Sequence, residues 1–131
     1  MKVTQGYPPN IAKIKEALRP GPNTVFTYGD TLYVPGGGIV MSNLFAHEEV
    51  HSKNQSVLGV EAWWDKYLVD AKFRLDEELE AYRAQYQYAK ENMNRHDRRM
   101  LLSLISKDLA SPMYGSVISE EQAKIMIQTN G

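Results

Sequence analysis

The sequence predicts a single α+β domain in which a small antiparallel sheet, built around one hairpin, precedes several helices. Glycine and proline are concentrated at the start, with 11 of their 15 occurrences in the first 38 residues. Turns and short strands are therefore expected there, and long helices after them. A chain of 131 residues, 43% hydrophobic and 24% charged, has the size and composition of one globular domain with its own core. We expect this domain to span residues 1–131.

The first 41 residues are predicted to form one helix and three short strands. Apolar residues at Ile11, Ile14 and Leu18 have helical spacing. The β-rich runs 24–28 and 31–34 flank Gly29-Asp30, a pair typical of a two-residue hairpin turn. A third short strand is expected at 39–41.

The rest of the chain is predicted to be helical. Helices are expected from Ser42 or Asn43 to Leu58, over 61–69, over 75–92, from Asp97 to about Ala110, and from Ser119 to about Gln128, with a loop at 111–117. Each helix that begins at a Ser, Asn or Asp has a side chain that can cap it. Gln122, three residues after Ser119, has the form of a capping box.

His47-Glu48-Glu49-Val50-His51 matches the pattern H-E-x-x-H. Residues four apart lie on one face of a helix, so both imidazoles can reach one zinc ion. Glu48 is offset by about 100° from His47, which places it beside the ion rather than on it. It can therefore accept a proton from water at the metal. On the same helical wheel Ala46, Val50 and Val57 form an apolar back, which we expect to be buried.

A third ligand is expected from the helix over 75–92. Its apolar stripe consists of Leu75, Leu79, Tyr82, Tyr86 and Ala89. Glu78 lies about 60° from the centre of this stripe, whereas Glu77 and Glu80 lie about 140–160° away and are predicted to face solvent. Glu78→Gln should therefore weaken zinc binding, and Glu77→Gln and Glu80→Gln should not. The alternatives are an ion pair of Glu78 with Arg74 or Arg83, and His96 as the third ligand, although His96 lies in a charged segment typical of a surface.

His47-Glu48-x-x-His51 followed by Glu78-x-x-Ala81-Tyr82 resembles the gluzincin metallopeptidases, and the layout is similar to small minimal-gluzincin peptidases encoded by phages and bacteria. The resemblance implies a zincin-like α+β fold and a Zn²⁺ site formed by His47, His51 and Glu78. It also implies peptide-bond hydrolysis with Glu48 as general base, and an edge strand of the hairpin that pairs with the substrate backbone.

The sequence departs from this family at Tyr82, where many gluzincins have an aspartate that orients a histidine. A tyrosine hydroxyl can accept a bond from an imidazole but has no negative charge, which puts the metal affinity in doubt. Asn54 and Gln55, one turn after His51, are alternative partners for the imidazoles. Tyr114 is either a donor to the substrate oxyanion or an anchor of its loop.

Three functions remain open at this point: a zinc metallopeptidase, a catalytically silent zincin-like module that binds a partner, and a helical interaction protein in which the motif is accidental. The expected partner of the enzyme is a peptide or protein. The balance of 15 basic and 16 acidic residues argues against nucleic acid, and the absence of long apolar runs argues against a membrane. We expect a cytoplasmic protein, in the host cytoplasm if the chain is phage-encoded. The oligomeric state is not predicted.

Overall fold

A computed structural model describes residues 1–129 and shows an α+β chain that is mostly helical. The elements are β1 (Lys2–Thr4), α1 (Ile11–Leu18), β2 (Phe26–Tyr28), β3 (Thr31–Tyr33), α2 (Ser42–Leu58), α3 (Val60–Val69), α4 (Ala71–Asn92), α5 (Arg95–Leu109), a 3-10 turn (Pro112–Tyr114) and α6 (Glu120–Gln128). The predicted α+β class, the hairpin and the helices are confirmed. In the described part of the chain, no helix is both long and apolar enough to cross a bilayer.

The sheet is mixed rather than antiparallel. Its strand order is β1-β3-β2, with β3 antiparallel to β2 across the hairpin and parallel to β1. Gly29 begins the turn with φ of +65°, a conformation that suits glycine. The third strand predicted at 39–41 is wrong, because these residues are irregular and the third strand is Lys2–Thr4. Its three residues are all exposed, so no buried alternation marks this strand in the sequence.

The helix caps agree with the sequence in part. Ser119 and Gln122 form the predicted capping box at α6. Ser42 and Asn43 do not cap α2, since Met41 is the N-cap residue and makes no side-chain cap bond. Asp97 does not cap α5, since Asn94 accepts the bond from the Asp97 amide.

Helix α2 buries its polar face instead of its apolar back. The buried residues of α2 are His47, Glu48, His51 and Gln55. Val57, predicted to be buried, is 82% exposed, and Val50 is partly exposed. The apolar back therefore faces outward, and α2 packs with its His/Glu face against α4. This burial of charge requires partners for every group on that face.

Two aromatic and aliphatic clusters flank this α2–α4 contact. One cluster joins α4, α5 and α6 and consists of Leu75, Tyr82, Ile105, Leu109, Tyr114, Ala123 and Ile127. The other joins α1, the hairpin and α3 and consists of Ile14, Phe26, Trp63, Trp64 and Tyr67. The polar face of α2 thus lies between two apolar clusters.

Candidate metal centre

Three potential ligands converge where α2 packs on α4. The Nε2 atom of His47 lies 2.9 Å from one carboxylate oxygen of Glu78, and the Nε2 atom of His51 lies 3.1 Å from the other. The two Nε2 atoms lie 3.3 Å apart. All three residues are at least nine-tenths buried. They form a His-His-Glu group close enough to hold one metal ion.

The spacing of these atoms suits a tetrahedral ion. Zinc with bonds of about 2.0–2.1 Å places neighbouring ligand atoms about 3.3–3.4 Å apart. The two Nε2 atoms already have this separation, at 3.3 Å, and each lies 2.9 or 3.1 Å from a different oxygen of Glu78. Two imidazoles and one carboxylate also form one of the ligand sets that hold catalytic zinc. The residues present therefore fit the group that the sequence implies.

The outer nitrogens of both imidazoles have acceptors. The Nδ1 of His47 lies 3.0 Å from the Gln85 side-chain oxygen, and the Nδ1 of His51 lies 3.4 Å from a Glu77 oxygen. With the protons held at Nδ1, the Nε2 lone pairs of neutral imidazoles point at the Glu78 carboxylate. Lone pairs and a carboxylate repel each other unless a cation lies between them, and that cation is either a proton or a metal ion.

Glu77 is buried, which corrects the prediction that it faces solvent. It is 7% exposed and accepts bonds from the Trp63 indole at 2.9 Å and from the Asn54 amide at 3.1 and 3.2 Å, besides facing His51. Burial tends to raise the pKa of Glu77, but the hydrogen bonds from His51, Asn54 and Trp63 outweigh it and lower the pKa. A helical wheel gives one buried arc, whereas α4 packs against α2 and α3 as well as against α5 and α6. The prediction for Glu80 holds, since its side chain is exposed.

Glu78 pairs with histidines and a tyrosine rather than with an arginine. Its second oxygen accepts a bond of 2.6 Å from the Tyr67 hydroxyl. Arg74 and Arg83 instead donate to backbone carbonyls. Burial tends to raise the pKa of Glu78, but the charge and hydrogen bonds of His51 and His47 outweigh it, so the pKa is well below its usual range.

The pKa of His51 moves in the opposite direction. Burial alone lowers it, but the charge of Glu78 and the hydrogen bonds to Glu77 and Glu78 outweigh burial and raise it well above its usual value. In the metal-free protein the neighbouring carboxylates therefore favour the protonated form of His51. A metal ion held by this imidazole would have to displace that proton.

Glu48 lies beside the three ligands and is oriented by the hairpin. The Thr27 hydroxyl donates to one Glu48 oxygen at 2.6 Å, and the other oxygen lies 3.9 Å from the Nε2 of His47. Thr27 is itself fixed to α2 and α3, since its carbonyl accepts bonds from the Gln55 and Trp64 side chains at 2.9 and 3.1 Å. The hairpin turn is held in the same way, with the Gly29 amide donating to Gln55 at 2.7 Å.

The group opens into a cavity of about 470 Å³. Its inner end holds the three ligands and Glu48, and its walls include Phe26, Trp63, Trp64, Tyr67, Tyr82, Ile105 and Tyr114. The His47 ring lies 4.6 Å from the Tyr82 ring, and the His51 ring lies 5.4 Å from the Trp63 ring. The cavity is large enough for a side chain with part of its backbone.

The other candidate site residues predicted from the sequence do not bond the histidines. The hydroxyls of Tyr82 and Tyr114 donate to Asp108 rather than to an imidazole. Asn54 bonds Glu77 and Glu80, and Gln55 bonds the hairpin, so neither contacts a histidine directly. His96 is exposed and lies outside the group, as its charged surroundings predict.

Three residues that support the potential ligands and Glu48 were not predicted from the sequence. The Gln85 side-chain oxygen lies 3.0 Å from the Nδ1 of His47, and its amide nitrogen donates to the Asn43 side-chain oxygen at 2.7 Å. Tyr67 and Thr27 come from α3 and from the hairpin. Gln85 lies seven residues after Glu78 and hence on the same helical face, which is a signal present in the sequence. The other two depend on tertiary contacts.

Comparisons with protein-family models, curated proteins and solved structures find no match to this chain.

Proposed function

We propose that the protein is a zinc-dependent metallopeptidase. The observation that carries the proposal is the convergence of His47, His51 and Glu78 at the inner end of a cavity, with the Glu48 carboxylate beside them. A helical protein with an accidental motif has no reason to bury two histidines and two glutamates together, because each such burial costs free energy.

His47, His51 and Glu78 would hold the ion, with Gln85 and Glu77 fixing the two imidazoles. A bound zinc ion supplies a Lewis acid and lowers the pKa of a water molecule at its open position. Outer residues of this kind fix the tautomer and the ring orientation of each histidine. Gln85 and Glu77 therefore supply the support that an aspartate at position 82 would provide in a gluzincin.

Glu48 would act as the general base. Its free oxygen faces the ligand atoms, whereas its other oxygen is occupied by Thr27. From this position it accepts a proton from water during the attack and returns it to the leaving amine. The hydroxyl of Thr27 restrains the carboxylate so that it remains beside the site between the two transfers.

The outer edge of β2 would bind the substrate backbone through Val25. In the hairpin register the backbone groups of Phe26 and Tyr28 face β3, so those of Thr27 point outward. The Thr27 carbonyl is already occupied by side chains of α2 and α3. Alternation along a strand makes Val25 the next residue with an outward N–H and C=O. Val25 also lines the cavity. A peptide paired at Val25 would run along the mouth of the metal centre.

The test compares the zinc-loaded wild type with Glu48→Gln and with Glu49→Gln, an exposed neighbour on the same helix. Each protein is incubated with a mixed peptide library, and new termini are read by mass spectrometry. Loss of a general base is expected to lower the rate by about 10²–10⁴-fold in Glu48→Gln while zinc content is unchanged. Glu49→Gln should cleave as the wild type does. Cleavage that persists in Glu48→Gln refutes the mechanism, and no cleavage by a zinc-loaded wild type favours the silent binding module.

A further inference from the structure

Asp108 lies at the mouth of the cavity and is not used by the proposed reaction. It is an exposed residue of α5 that lines the cavity beside Leu104 and Met113. The hydroxyls of Tyr82 and Tyr114 both donate to its Oδ2 atom. Its Oδ1 atom accepts no bond from any residue in the described range 1–129, so this oxygen is available to a ligand.

The charges that line the cavity are unbalanced. Within residues 1–129 its lining contains three carboxylates, of Glu48, Glu78 and Asp108, and no lysine or arginine. Glu78 is paired with both histidines, and Glu48 lies 3.9 Å from the Nε2 of His47. Within the described part of the chain Asp108 forms no ion pair, so it is the carboxylate of this cavity that lacks a basic partner. A ligand that enters past it meets a negative charge held by two tyrosines.

One tyrosine side chain spans the distance between Asp108 and the metal centre. The Tyr82 ring contacts the His47 ring at 4.6 Å, and the hydroxyl at the far end of that ring binds Asp108. A substrate side chain that begins at the reacting bond and ends at Asp108 must therefore be long. Lysine and arginine have the required length, and their apolar stems suit the aromatic wall.

We infer that Asp108 is a specificity-determining residue that selects peptides with a lysine or arginine next to the scissile bond. This inference rests on the proposed peptidase function. The cationic head would bind Oδ1 of Asp108, while the stem would lie along Tyr82 and Tyr114. Although Asp108 as a whole is exposed, its bond with Tyr82 is partly buried. A hydrogen-bonded ion pair at this carboxylate favours the cation over an uncharged chain by about tenfold in affinity.

The test measures binding instead of turnover. Zinc-loaded Glu48→Gln is titrated by calorimetry with N-acetylated, C-amidated alanine pentapeptides whose central residue is lysine, norleucine or glutamate. We expect the lysine peptide to bind about tenfold more tightly than the norleucine peptide, and the glutamate peptide to bind most weakly. The preference should disappear in Glu48→Gln/Asp108→Asn, because asparagine keeps an acceptor for the tyrosines but has no charge. Asp76→Asn in the same background removes an exposed acid outside the cavity and should leave the preference unchanged.

Equal binding of the three peptides, or a lysine preference that survives Asp108→Asn, overturns the inference. Free penta-alanine amide provides a further arm. If its N-terminal amine gives the Asp108-dependent binding and the acetylated lysine peptide does not, the ligand is a chain terminus and the side-chain assignment is wrong. Failure of the wild type to cleave a lysine peptide that it binds through Asp108 would instead refute the peptidase function alone.

Discussion

Replacing Glu77 by glutamine tests the most unexpected part of the candidate metal centre. Three donors meet at this carboxylate, from His51, Trp63 and Asn54. A glutamine offers one acceptor oxygen and turns its own NH₂ group toward at least one of these donors. It also removes the negative charge that supports the His51 imidazole. Loss of such an outer partner typically costs about 10–100-fold in metal affinity, which corresponds to about 1.4–2.7 kcal/mol.

The assay is competition for zinc with a chelator of known affinity, and Glu80→Gln is the matched control. Glu80 lies on the same helix and bonds Asn54 at 2.8 Å but is exposed and does not contact a histidine. We expect the zinc Kd to rise about 10–100-fold in Glu77→Gln and to be unchanged in Glu80→Gln. The metal-free Glu77→Gln protein should also lose about 1–3 kcal/mol of stability, because a buried donor loses its partner. Equal zinc affinity in the two variants would show that Glu77 does not support the site.

Three further predictions follow from the same geometry. As the pH rises, the zinc Kd should fall about tenfold per pH unit until the pH passes the raised pKa of His51, because zinc must displace the proton on that imidazole. A Kd that is independent of pH between 5 and 8 would contradict this. Tyr67→Phe should weaken zinc binding by about tenfold, since the Glu78 oxygen loses its bond of 2.6 Å, and unaltered competition for zinc would argue against that role. Gln55→Ala should lower the free energy of unfolding by about 2–4 kcal/mol in urea titrations, because its buried amide ties Thr27 and the hairpin to α2, and a change below 1 kcal/mol would be inconsistent with this contact.

The sequence was sufficient to predict most elements and the three potential ligands. Helical spacing placed His47 and His51 on one face, and the neighbouring stripe placed Glu78 at the edge of a buried face. The residue types also predicted the hairpin turn at Gly29 and the capping box at Ser119. These features depend on residues that lie within a few positions of one another, so a single sequence contains the necessary information.

The supporting contacts could not be predicted in the same way. Glu77 appears exposed on a wheel because a wheel assumes one partner for α4, whereas helices pack on several of its sides. The burial of the polar face of α2 was missed for a similar reason. Hydrophobic periodicity predicts that the apolar face is buried, and it contains no information on distant hydrogen bonds such as that from Thr27 to Glu48. β1 was missed because its pairing partner lies about 29 positions away, a separation that local patterns do not detect.

The zinc content of the protein shows whether His47, His51 and Glu78 hold a metal ion. The chain should be purified without metal-chelating chromatography, supplied with zinc, dialysed and measured by elemental analysis, together with Glu78→Gln and His96→Ala. We expect about one zinc ion per chain in the wild type and in His96→Ala, and a marked loss in Glu78→Gln. A wild type that retains no zinc, or a Glu78→Gln protein that retains it while His96→Ala does not, would contradict the metal centre described above.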